Sequence, residues 1–353
     1  MVCQLQRQLN VDDYVIYDRA AETGGAWAAN KYLRTGGQFV HETKILISAV
    51  GGYTNPKFPS HLGLEKFKGP VVHTAKWDNK YDLRGLKVAV VGNGCSGSQV
   101  VPAILEDAQS VTQFIRVRSL YSLLSNHLIH FTKTPQHYVP MTMGNYRLGN
   151  SFRKIVSRFP IVLLLLRWLT FWILDSTLLQ FYNNPAGQQK RKIRTEMSQR
   201  YIMKNAPGSS HYDLCVVWVL IGFSEQYWPL LVPKSDLGCK RRILDNNYIR
   251  SLHSPKMRLV KDPIEDIRPG TMTTPCNEFD IDFIILATGF EFSQWQAKSV
   301  IGRQGTSLQQ HWDTQGGIGA YKTIAVNEFP NMFYLLGPNS GSGHTSVLFA
   351  IEW

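Results

Sequence analysis

Short apolar runs closed by glycine recur along this chain, and each predicts a buried strand that stops at a turn. Val88 to Val91 runs into Gly92, and Ile45 to Ala49 into Gly51. Ile281 to Leu286 leads to Gly289 through Ala287 and Thr288, and Phe329 to Gly337 has the same form. Tyr14 to Tyr17 predicts a further strand closed by Asp18, Ser110 to Ile115 one closed by Arg116, and Met257 to Arg268 a strand-and-turn region. Ser96 to Leu105 is compatible with a helix, and residues 121–207 read as helical and mostly irregular. Strands interleaved with helices give an α/β class.

One apolar run is long enough to raise the question of a membrane. Ile161 to Leu174 reads IVLLLLRWLTFWIL, about fourteen residues where spanning needs about 20, and it carries Arg167 in its middle. The expectation is a buried or groove-lining helix and no transmembrane span, with a weak membrane-surface contact as the alternative. Leu214 to Phe223 is shorter still.

The strand ending at Val91 is followed by Gly92, Asn93, Gly94, Cys95, Ser96, Gly97, Ser98 and Gln99, which sets three glycines in GxGxxG spacing between a strand and a helix. That context makes the spacing a dinucleotide-binding turn, because the glycines allow a tight bend and the helix start favours a pyrophosphate. Arg116 closes the next strand, where an arginine suits the 2′-phosphate of NADPH and an acidic residue would suit NADH. Asp18 stands where a second nucleotide unit offers a carboxylate to a ribose, although many strands simply end in an acidic residue. In Glu22 to Asn30 (ETGGAWAAN), Gly24 and Gly25 permit close backbone approach and Trp27 supplies a flat apolar surface; an ordinary turn with a core tryptophan would look the same.

Composition narrows the partners. A chain of 353 residues with 44% hydrophobic and 18% charged residues can bury a large core in two domains. Its net charge of +12 suits phosphate-rich cofactors, an anionic membrane or nucleic acid, but no nucleic-acid module is present. The basic run from Lys190 to Lys204 reads as a solvated helix face. Cys3, Cys95, Cys215, Cys239 and Cys276 stand singly, which argues against a disulfide framework or a metal site and fits a reducing, cytoplasmic compartment. Residues 1–10 contain no apolar signal segment.

Taken together these stretches resemble one family, the flavin-containing Baeyer-Villiger type monooxygenases, particularly the fungal branch of secondary metabolism. FKGPVVHTAKWD, with Phe67, Gly69, His73, Trp77 and Asp78 at fixed offsets, is similar to the family fingerprint FxGxxxHxxxW. VGNGCSGSQ resembles its NADPH turn, ILATGF its interdomain strand, and FPNMFYLLGPNSGSGHTSVLF a later FAD-domain segment. The resemblance implies two Rossmann-like domains, for FAD and NADPH. Residues 1–80 would be a partial FAD domain, 81–280 the NADPH domain with a helical insertion at about 121–235, and 281–353 a return to the FAD domain.

By the same resemblance Asp18 would hold the FAD ribose, and Gly24, Gly25, Ala26 and Trp27, in the stretch closed by Asn30, would lie along the flavin. Gly92 to Gln99 would cradle the NADPH pyrophosphate. Arg116 would meet its 2′-phosphate, followed by Val117 where the family has a hydroxyl. Arg241 would be the active-site arginine, with Arg242 as its neighbour, and His73 would couple domain movement to catalysis. The implied activity is insertion of one oxygen atom of O2 into a bulky apolar ketone or aromatic metabolite.

The sequence also departs from the pattern. The first FAD strand and its GxGxxG would lie before Met1, so an incomplete FAD domain is expected. The passage from Asn30 to Thr35 omits an acidic partner for the active-site arginine, AVG stands at residues 49–51 in place of ATG, and Gly208 to Gln226 reads as an insertion. The chain stops at Trp353, inside an expected helix. An inactive remnant that binds NADPH at most is therefore the alternative to an active oxygenase.

Overall fold

The computed structural model describes residues 13, 15, 42–51, 53, 55–59, 62–78, 80–115, 135–141, 149–207, 227–237, 242–291, 297 and 299–340. In chain order the elements are β1 (Leu46–Ser48), β2 (Val71–His73), β3 (Lys87–Val91), α1 (Cys95–Ile104), β4 (Ser110–Phe114) and β5 (Tyr138–Pro140). Next come α2 (Asn150–Arg158), α3 (Pro160–Asp175), α4 (Pro185–Asn205), α5 (Trp228–Leu231), β6 (Ile243–Asp245), α6 (Tyr248–Ser251) and β7 (Met257–Val260). The meander β8 (Asp266–Arg268), β9 (Thr271–Thr273) and β10 (Glu278–Asp280) leads to β11 (Phe283–Leu286), α7 (Leu308–Thr314) and β12 (Met332–Tyr334). The chain divides into two units, one of residues 58–74 and 81–288, the other of residues 1–57, 75–80 and 289–353.

The first of these units is built on a five-stranded sheet in the order β2-β11-β3-β4-β7, with every pairing parallel. Val88 to Val91 and Ile284 to Leu286 have no exposed surface, as continuous β-branched and leucine runs should when a parallel strand is covered on both faces. Phe67, Phe114, Phe279 and Ile267 join Ala89, Val91, Ile284 and Leu286 in one core cluster. The register of β11 on β3 is pinned at its start, where the Lys87 amide donates to the Asp282 carboxylate at 2.8 Å and the Lys87 ammonium meets Asp280 at 2.9 Å. β11 therefore lies inside this sheet. Strand pairing ties residues 283–286 to β3 and residues 284–286 to β2, and the unit that holds them ends at Thr288.

The structure also gives the fingerprint a local rationale. Phe67 is a buried member of the core. A Cβ on Gly69 would lie 2.5 Å from the Asp282 carbonyl oxygen, so the chain entering β11 can approach only a glycine there. His73 ends β2 opposite Leu286 and is buried, with the Phe58 ring 5.6 Å away.

The second unit contains β1 paired in parallel with β12, and a cluster of Leu308, Trp312, Phe329, Met332 and Tyr334. The expected burial of the 45–49 strand is not found: Leu46 and Ile47 are exposed, since β12 is the one strand that β1 pairs with among the described residues. Pro56 bridges Phe290, and the Lys57 amide donates to the Gly289 carbonyl at 2.9 Å.

A larger correction concerns Ile161 to Leu174. The helix α3 forms as its composition predicts, but it is neither buried nor groove-lining. Nearly its whole surface faces outward, from Ile161 to Ile173, because the neighbouring helix α2 is itself exposed and covers little of it. The following helix α4 is capped by Asn184, whose side-chain oxygen accepts from the Gly187 amide at 2.7 Å; of its basic run Lys190, Lys192, Arg200 and Lys204 are exposed, whereas Arg191 and Arg194 are half-buried.

Candidate functional site

The carboxyl end of β3 lies where the strand order reverses, with β4 on one side and β11 on the other. Ligands of open parallel sheets bind at such points. The Gly92 amide donates to the Phe114 carbonyl at 3.0 Å and the Ala287 amide to the Val91 carbonyl at 2.8 Å, so the turn leaves the sheet held from both neighbours.

The three glycines of the turn do different work. Gly92 has φ +128°, and a Cβ there would lie 2.3 Å from the Ala287 carbonyl oxygen. At Gly97 a Cβ would lie 2.5 Å from the Gly92 carbonyl oxygen, so this position lets α1 pack against the turn. Gly94 has an ordinary φ of −94°, and a Cβ there would meet nothing within 4 Å. Two glycines thus serve internal packing and the third borders open space at the N-cap of α1. No side chain caps that helix end and its first turn holds no acidic residue, which leaves amide donors and the positive end of the helix dipole for an anion. A dinucleotide pyrophosphate fits this arrangement of close backbone and uncapped helix start.

Beneath the turn lies a buried polar cluster that sequence reading did not anticipate. Gln113, fully buried in β4, donates from its amide nitrogen to the Gly92 carbonyl at 2.8 Å. Its side-chain oxygen accepts from the Tyr248 hydroxyl at 2.7 Å. Because a carbonyl can only accept, these two bonds fix which way the amide points. Tyr248 stacks on Tyr138 with ring centroids 5.3 Å apart, and the Tyr138 hydroxyl donates to the Asn93 side-chain oxygen at 3.4 Å. Burial pushes both phenols well above their ordinary value, so they stay neutral donors. Asp245 accepts from the Tyr248 and Ile249 amides at 2.8 and 3.2 Å and from the Tyr201 hydroxyl at 2.7 Å, while Ser198 of α4 donates to the Tyr138 carbonyl at 2.8 Å. The signal for this cluster was present in SVTQF, a glutamine among residues that otherwise fill a buried strand.

Of the expected site residues, Gly92 to Gly94 form the turn and Cys95 to Gln99 the start of α1. His73 sits within the same sheet, buried at the end of β2. Asp18, Gly24, Gly25, Ala26, Trp27, Asn30, Arg116, Val117 and Arg241 lie outside the described residues. Arg242 is described and half-buried; burial first, and then the charge of Arg242, depress the guanidinium of Arg194 on α4. Among the described residues no group of His, Cys, Asp and Glu could hold a metal ion.

The monooxygenase y4iD of Sinorhizobium fredii, itself described as uncharacterized, is 30% identical over 340 residues, covering 95% of this chain and 47% of that protein. A Baeyer-Villiger monooxygenase of Pseudomonas aeruginosa is 29% identical over 314 residues, covering 88% of this chain and 52% of that protein. The chain is a homologue of proteins named Baeyer-Villiger and FAD-binding monooxygenases. Fungal monooxygenases are among the relatives, such as the FAD-binding monooxygenase ktnD of Aspergillus niger, 28% identical over 319 residues, with 89% of this chain and 46% of that protein covered. The chain spans about half the length of the curated relatives it matches. Its fold is shared with an open cyclohexanone monooxygenase, at a TM-score of 0.64 and 20% identity over 88% of this chain and 61% of that one. An oxidized steroid monooxygenase bound to NADP gives 0.64 and 22% over 88% and 59%. No family model matches the chain.

Proposed function

We propose that this chain is the NADPH-binding part, with some of the FAD-binding part, of a Baeyer-Villiger type monooxygenase of the cytoplasm. Its substrate would be a bulky apolar ketone or aromatic metabolite, with O2 as co-substrate, and its setting fungal-type secondary metabolism. The observation that carries the reading is the Gly92 to Gln99 turn: Gly94 borders open space at an uncapped helix start where the strand order of a parallel sheet reverses. Relatives named Baeyer-Villiger and FAD-binding monooxygenases support the reaction class.

In this reading residues 58–74 and 81–288 hold NADPH, with a helical insertion at about 121–235, and residues 1–57 and 289–353 contribute to the flavin side. The turn fixes the pyrophosphate and Arg116 selects the 2′-phosphate. Asp18 and the stretch Gly24, Gly25, Ala26, Trp27 and Asn30 would hold FAD. Bound and reduced flavin would supply the activation of oxygen. Arg241, charged at any working pH, would stabilise negative charge at the reacting oxygen atoms, and buried His73 would hold β2 in place as the domains move. A weak membrane-surface contact through residues 161–174 belongs to the same reading.

Purification followed by a visible spectrum, an NADPH titration and an oxygen electrode tests the proposal. A yellow protein with NADPH-dependent oxygen uptake is the expected result. A colourless protein that still binds NADPH is the result for the second reading, a nucleotide-binding remnant. Failure to bind NADPH overturns both.

A further inference from the structure

We propose that α2 and α3 together form a docking face for an anionic lipid bilayer, lying in its surface without crossing it. The proposal deepens the surface-contact part of the reading above and is independent of the flavin chemistry. It rests first on exposure. Trp172 is 70% exposed, Ile161 65%, Trp168 63% and Leu165 62%. Single exposed leucines are ordinary on a soluble surface, but a helix exposing large apolar side chains along its length marks an interaction site.

The second observation is charge. The apolar side chains Phe152, Ile155 and Phe159 on and just after α2 are exposed, and between them Arg153, Lys154 and Arg158 are exposed as well; the helix carries no acidic residue. Lys154 and Arg158 line an open concavity of about 590 Å³ together with Ile155 and Phe159. A basic amphipathic helix beside an apolar one, with tryptophans on the latter, is the composition that partitions into a negatively charged interface. The same cations disfavour a second copy of this chain as the occupant, because a two-fold contact through this face would bring α2 cations against their own counterparts.

Length and anchoring decide between lying on and crossing. The 16 residues of α3 reach roughly 24 Å, short of the roughly 30 Å hydrocarbon layer. An 18-residue window within residues 161–181 reaches a mean hydropathy of 1.7, enough to cross by composition, but the α-helix stops at Asp175. Beyond it Thr177 and Gln180 are buried, and the Arg191 guanidinium holds the Gln180 and Tyr182 carbonyls at 2.8 and 3.1 Å. The far end of the segment is therefore tied to the protein body.

Flotation of the whole chain with phosphatidylcholine vesicles, with and without phosphatidylserine, is the test. Binding is expected only with phosphatidylserine and is expected to fall with salt. At about 1 kcal/mol per cation near an anionic surface, each of Arg153→Glu, Lys154→Glu and Arg158→Glu should weaken it about fivefold or more. The double variant L165E/W168E, placed on exposed positions, should abolish binding while thermal stability stays unchanged. Trp168→Phe and Trp172→Phe should remove quenching by brominated lipid. No flotation, flotation that the charge variants leave intact, or recovery as an oligomer that ignores vesicles each overturns the proposal. NADPH titration of the same samples reports separately on the nucleotide site.

Discussion

The Tyr248 hydroxyl donates to the side-chain oxygen of Gln113 at 2.7 Å, joining residues 135 positions apart in the chain. Gln113 in turn holds the Gly92 carbonyl, so the first glycine of the turn is fixed by a phenol delivered from just after β6. Tyr248→Phe leaves the glutamine oxygen buried without this donor, a cost of about 1 to 3 kcal/mol. Urea denaturation should register that loss. NADPH binding should weaken as well, since the turn loses its support from below.

The glycines of the turn should separate by function when each is changed to alanine. Gly92→Ala and Gly97→Ala drive a Cβ into backbone oxygens at 2.3 and 2.5 Å, and neither backbone group can move aside. Overpacking of this kind costs about 1 to 3 kcal/mol or more, and the φ of +128° at Gly92 adds to it. Gly94→Ala meets no atom, so its melting temperature should match the parent protein. Its NADPH dissociation constant should nonetheless rise about tenfold or more, the equivalent of one lost charge-assisted hydrogen bond. A destabilised Gly94→Ala protein with unchanged NADPH affinity would reverse the assignment.

Alkaline pH should unfold the protein through its buried phenols. Tyr138 and Tyr248 both have folded values raised above the unfolded value near 10, first of all by burial. Their contribution is complete below about pH 10 and is lost as pH rises from there toward the raised folded values. In that window each tyrosine contributes a slope of up to about 1.4 kcal/mol per pH unit. Denaturation at a series of pH values should show a shallower alkaline limb for Tyr248→Phe, whereas identical limbs would place the phenol in water.

Arg116 and Arg241 make two separate kinetic predictions. Arg116→Ala should weaken NADPH far more than NADH in a binding titration, because only NADPH carries the 2′-phosphate. Equal losses for the two cofactors would remove Arg116 from that role. Arg241→Ala should leave flavin reduction measurable by stopped flow while product formation disappears; continued oxygenation would reject it.

The nucleotide turn was legible because its information is local. A strand, three glycines and a helix start occupy one short segment, and each residue type answers to a neighbour only a few positions away, apart from the Ala287 carbonyl. The floor of the site was not legible. Gln113, Tyr138 and Tyr248 meet only because β4, β5 and α6 fold together, and no spacing rule links them. The fingerprint was readable as a pattern but not as a cause: Gly69 answers to Asp282, far along the chain. Apolar composition correctly gave a helix at residues 160–175 and misjudged its burial, since a helix apolar all round suits a core and a lipid surface equally.

Placing β11 between β2 and β3 makes the sheet a late event in the life of the chain. The Lys87 amide and the Asp282 carboxylate that set its register are separated by 195 residues, so β3 emerges from the ribosome long before its partner exists. Contacts of such long range are slow to close, and an unpaired Val88 to Val91 edge is sticky in the meantime. The clamp of Ala287 on Gly92 cannot form until then either. During synthesis, the phosphate-binding turn should be among the last parts of this unit to gain protection, although its residues are among the first of the sheet to be made.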